Sequence, residues 1–72
     1  MHVIDKNYPD GWGYGNEVYC EKHKEFGVVE NYCHRDGEKL IYTKFYSKDN
    51  GELRPEVFGP FKTNELENIS TK

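Results

Sequence analysis

The stretch "EVYCEKHKEFGVVENYCH", residues 17–34, holds both cysteines of the chain, Cys20 and Cys33, and two of its three histidines, His23 and His34. It can be taken as a metal-binding cluster or as two β-strands around a polar turn. The residue types favour strands. In "EVYCE" the apolar positions Val18 and Cys20 alternate with polar neighbours, and "FGVVENYCH" (26–34) is rich in Phe, Val and Tyr, which suit a pleated, half-buried surface. Between them "EKHK" has the polarity of a loop.

Working outward, the same grammar recurs. "KLIYTKFYS" (39–47) and "EVFGP" (56–60) are further β-prone runs, and the segments between them carry turn signals. "RDGE" (35–38) contains Asp36-Gly37, which predicts a type I′ hairpin, and "KDNG" (48–51) contains Asn50-Gly51. Pro55 and Pro60 cannot donate to a ladder, so they bound the fourth strand or place it at an edge. In "FKTNELENI" (61–69), Thr63 or Asn64 suits a cap for one short helical turn near residues 63–66, with a fifth strand following at 66–70. Before residue 16, Pro9, Gly11, Gly13 and Gly15 interrupt any period. Residues 1–15 are therefore expected to be an irregular lead-in packing on a domain of residues 16–70.

Seventy-two residues suffice for one domain with one dry core, so a binding site belongs on the surface or in a shallow groove. The mean hydropathy of −1.00 would suit a disordered chain. Aromatic residues at 15% argue otherwise, because disordered segments are poor in rings that bury so much area. Acidic and basic residues are interspersed with a net charge of −3, which argues against nonspecific nucleic-acid binding; the one basic strip, "KHK" at 22–24, is flanked by Glu21 and Glu25. The glycine-spaced "YPDGWGYGN" lacks the Lys-Ser or Lys-Thr pair of a phosphate loop. With neither a cationic start followed by an apolar run nor a span-length segment, the expectation is a cytoplasmic chain with no membrane contact, and reducing conditions favour free thiols there.

Cys20-x-x-His23 has a spacing that lets one turn present two zinc ligands, and Cys33 supplies a third. The fourth is the difficulty. On a strand Cys33 and His34 point to opposite faces, so His2 would have to return from the lead-in. No metal or other cofactor is therefore expected; a zinc-stabilised nucleic-acid module using Cys20, His23, Cys33 and His2 is the alternative. Cysteine–histidine catalysis is disfavoured because a small β domain offers no cleft to activate the thiol, and the expectation is a non-enzyme without a small-molecule substrate.

Taken together, "EV" (17–18), "FGVV" (26–29), "LIYTKFY" (40–46), "VFGPF" (57–61) and "NELENI" (64–69) resemble the Src homology 3-like small barrels in order and spacing. The resemblance implies a mostly β fold, a single antiparallel barrel of four to five strands, and a role as a binding module. The Ala-Leu-Tyr-Asp-Tyr-like run of peptide-binding members and the basic Gly-rich loop of ribosomal members are both missing, which argues against polyproline and RNA as implied ligands.

The third strand has apolar residues on both faces. If Ile41, Thr43 and Phe45 point inward, Tyr42 and Tyr46, with Tyr32 across the hairpin, form an outer aromatic strip, which Trp12 and Tyr14 join or cover. Cys20 and Cys33 are expected to pack near each other across the first pair. The function that follows is docking on another protein or self-association, in a gene product short enough for a phage or another mobile element. An acidic mimic of nucleic acid is a further alternative.

Overall fold

A computed structural model describes residues 6–70. The β-prone runs pair as neighbours in sequence, giving β1 (Glu17–Cys20), β2 (Glu25–Arg35), β3 (Glu38–Phe45) and β4 (Phe58–Phe61), then a 3₁₀ turn (Thr63–Glu65) and β5 (Glu67–Asn68). All pairings are antiparallel, in the order β4-β3-β2-β1-β5. The turn residues account for the hairpins. Asp36 and Gly37 both take positive φ, 52° and 78°, as a type I′ turn requires, and Gly37 does so without a Cβ to clash. The 3₁₀ turn is closed by its own end, where the Lys62 amide donates to Glu65 Oε1 at 2.8 Å.

The expected barrel is corrected to an open five-stranded sheet. Among the described residues no ladder joins β4 to β5. Both edges are short for a physical reason: Pro60 has no N–H to offer, and β5 pairs with β1 only through Asn68 to Val18 and Glu67 to Tyr19.

One face of this twisted sheet makes the core. Val18, Cys20, Val29, Ile41, Phe45, Phe61 and Leu66 are buried together, with Phe58 and Tyr32 packed against them. Tyr8, from the lead-in, is a core residue at 4% exposure, and Trp12 packs beside the same cluster. The lead-in is tied down further by His34 Nε2, which donates to the Asn7 carbonyl, and by Lys39 Nζ, which donates to that of Lys6.

Two bulges decide which side chains enter. In β2 the pairs Val29 to Thr43 and Asn31 to Tyr42 leave Glu30 as an extra residue, so the inward set changes from Gly27 and Val29 to Tyr32. In β4 the pairs Phe58 to Thr43 and Phe61 to Ile41 span one residue more than β3 does, and both phenylalanines therefore reach the core.

Gly27 sits where β2 passes closest to β3. A Cβ there would lie 2.2 Å from the Lys44 carbonyl oxygen and 2.8 Å from Phe45 Cδ1. The first of these is backbone in the middle of a ladder and cannot step aside. Gly27→Ala is therefore expected to cost about 2–3 kcal/mol, measured as a lower urea midpoint at unchanged m-value.

Candidate functional site

The side of the sheet away from the core follows from the same registers. Val18 and Cys20 face inward, so Tyr19 faces out; its partner Phe26 does too, and the two rings sit 4.8 Å apart. Phe26 accepts a hydrogen bond at its carbonyl from the Tyr46 amide, beside the Gly27 to Phe45 pair, which puts Tyr46 next in line. Tyr46 in turn bridges Leu53. Tyr19, Phe26, Tyr46 and Leu53 thus form one row across the strands, about 14 Å long at the usual strand spacing. Phe26 is 56% exposed and Leu53 42%, so the row is open to solvent at more than one point.

Beside this row lie Val28 and Lys44, paired by register, and then Tyr42 opposite Asn31. Lys44 is held by Glu30 at 3.4 Å, so the bulge residue's carboxylate fixes this cation on the outer face. Arg54, next to Leu53 in the chain, turns instead to the core side, where it pairs with Glu25 opposite Cys20 and its guanidinium lies 5.9 Å from the Phe58 ring centroid.

The expected strip is thereby partly redrawn. Tyr42 and Tyr46 lie on the outer side, both half-buried. Tyr32 does not join them: the Glu30 bulge turns it to the core side, where its ring meets Tyr8 edge-on at 4.9 Å. Trp12 also packs against the core and so does not cover the strip, whereas Tyr14 is 66% exposed in the lead-in. Tyr19, Phe26 and Leu53 were absent from the expected set. Two of them were signalled by alternation, since inward Val18 and Cys20 imply outward Tyr19, and Phe26 precedes a glycine that must face inward to fit against Phe45. Leu53 carried no such signal, because it lies outside any periodic run.

The bulge also separates the two cysteines, which were expected to pack together. Cys20 is fully buried in the core, and Cys33 is on the outer side opposite Leu40; both are free thiols. His23 lies against aromatic rings, with centroids 5.7 Å from Phe45 and 6.0 Å from Phe58 and from Phe61. The proposed zinc ligands Cys20, His23 and Cys33 are therefore not brought together, and His2 lies outside the described residues. Among the described residues no group of three His, Cys, Asp or Glu side chains is placed to hold a metal ion.

No family model, curated protein or solved structure matches this chain. Among the described residues no helix is long and apolar enough to cross a membrane.

Cys33 also acts on Tyr42, its neighbour on the outer face. Its hydrogen bond with the Tyr42 hydroxyl, followed by charge repulsion between the two groups and by desolvation, raises the phenol pKa, while Arg35 opposes the shift. Since the folded-state value is the higher one, the associated stabilisation is present below about pH 10 and is lost as pH rises through the folded-state value. Cys33→Ala is expected to move the Tyr42 titration back down, read by carbon-13 chemical shift of the labelled ring against pH.

Proposed function

We propose that this chain is a non-enzymatic binding module that docks on another protein through the outer side of β1, β2 and β3. The observation that carries the proposal is the row Tyr19, Phe26, Tyr46 and Leu53, with Phe26 at 56% and Leu53 at 42% exposure. A small β domain gains little by leaving large apolar groups contiguous in water, whereas aromatic side chains supply rigid contact area at low entropic cost in an interface. Tyr42, on the same side, extends the surface toward the hairpin end, and Tyr14 is an exposed aromatic contributed by the lead-in.

The broad β2–β3 hairpin and the 3₁₀ turn before a last strand that returns to β1 support a Src homology 3-like reading of the fold. In that reading the open edge between β4 and β5 is the gap of an incomplete barrel. The balance of interspersed charges supports a protein partner over nucleic acid, and cytoplasmic residence belongs to the same proposal.

Phe26→Ser combined with Leu53→Ser removes two exposed contacts at a stability cost expected to stay within about 1 kcal/mol. Affinity capture from the native host should lose its specific partner with this double variant and keep it with Glu56→Gln. Retention of the same partner by both variants, with thermal unfolding unchanged, would remove the outer row as the docking surface.

A further inference from the structure

The outer row ends asymmetrically. Beyond Tyr19 lies a recess of about 140 Å³, half-open to solvent and lined by Tyr19, Glu21, Asn64, Glu65, Leu66 and Glu67. That volume is below the range of small-molecule pockets, about 300–1,000 Å³, and is of the size of one long side chain. Among the described residues its lining combines an aromatic ring with carboxylates and contains no cation. Glu21 and Glu65 make no ion pair among the described residues, and neither does Glu17, one step along β1 from the recess. Of the two ion pairs described, Glu30–Lys44 engages the cation beside the row, whereas Glu25–Arg54 lies on the core side of the sheet. Lys22 and Lys24 belong to the β1–β2 turn and do not line the recess.

We infer that the partner presents a cationic segment to this face, with an Arg or Lys side chain seated in the recess against the Tyr19 ring between Glu21 and Glu65, and apolar neighbours laid along Phe26, Tyr46 and Leu53. This rests on the docking role proposed above and specifies its chemistry. A cation over an aromatic face is attracted by the ring quadrupole, and neighbouring carboxylates add charge-assisted hydrogen bonds that a planar guanidinium can meet in pairs. The apolar row supplies area that a purely electrostatic contact would lack. The same charges weigh against other occupants. A second copy packed with its row parallel would bring acidic end to acidic end, one packed antiparallel would offer that end no cation from the row, and phosphate-bearing polymers or anionic bilayers meet carboxylates at this recess.

The test uses the isotopically labelled chain and two blocked octapeptides, one alternating Arg and Leu, the other Glu and Leu. With the Arg–Leu peptide, amide shifts are expected to move at Tyr19, Glu21, Phe26, Tyr46, Glu65 and Leu66, and the Glu–Leu peptide should move none of them. Glu21→Gln with Glu65→Gln is expected to weaken binding about fivefold or more, against less than about twofold for Asp36→Asn with Glu38→Gln at the far hairpin tip. Gln at position 65 keeps the oxygen that accepts from the Lys62 amide, so the 3₁₀ turn stays closed. Equal weakening by both pairs of substitutions would show only bulk charge attraction and would overturn the inference, as would shifts absent from the row. Self-association in sedimentation, abolished by Phe26→Ser with Leu53→Ser, would make the occupant a second copy and also overturn it. In that case, or if the peptide fails while host capture still depends on Phe26 and Leu53, the docking role stands and only its cationic chemistry falls.

Discussion

A single inserted residue organises the outer surface of this protein. Glu30 has no partner in the β2–β3 ladder, and the strand beyond it is rotated by one position, so Tyr32 turns in where alternation would have turned Cys33 in. Two consequences come from that one step. Tyr32 gives Tyr8 something to pack on, which anchors the lead-in. Cys33 is moved to the side opposite Cys20, which separates the thiols. The Glu30 carboxylate stays on the outer side, as Val28 does, and pairs with Lys44 there.

Much of the fold was legible because its signals are local. Asp36-Gly37 sets its own backbone angles, Pro60 marks β4 as an edge strand although the strand runs through it to Phe61, and the 3₁₀ turn lies where expected, with Lys62 rather than Thr63 or Asn64 as its cap and the Glu65 side chain folded back on Lys62. That only one of the two apolar sets of β3 could fill the core was legible, but not which one, because Leu40, Tyr42 and Tyr46 oppose Ile41, Thr43 and Phe45 with apolar groups of their own. What escaped depends on neighbours distant in sequence. Nothing in "VVENYC" marks a bulge, because no glycine or proline interrupts it, and the extra residue shows itself only against β3. Tyr8 escaped for a similar reason: Pro9 and the glycines after it erase any period, and its burial is defined by Tyr32, far along the chain. Closure of the sheet was suggested by resemblance alone, and the shortness of β4 and β5 leaves the sheet open.

The candidate surface divides the same way. Tyr42 and Tyr46 share one face of β3 by alternation, and the structure makes it the outer one, while Tyr32 and Trp12 could not be assigned correctly without the bulge and the packed lead-in. The row that replaces the expected strip is assembled from four separate segments of chain, and its meaning lies in their register. It joins an apolar stretch to an acidic, aromatic recess. Glu30 holds Lys44 beside the row, and the carboxylates Glu21 and Glu65 lie at its Tyr19 end. Shape, polarity and charge on this side of the molecule therefore run in one direction, which is the property expected of a surface that receives an oriented segment.

The most direct measurement of the central claim is the accessibility of ring protons to a soluble paramagnetic agent, in the free chain and in complex with its captured partner. The account predicts strong relaxation of Phe26, Tyr46 and Tyr19 in the free chain and protection in the complex, with Tyr8, Tyr32 and Phe45 protected in both. Protection of Phe26 and Tyr46 already in the free monomer, or their continued exposure in the complex, would contradict it.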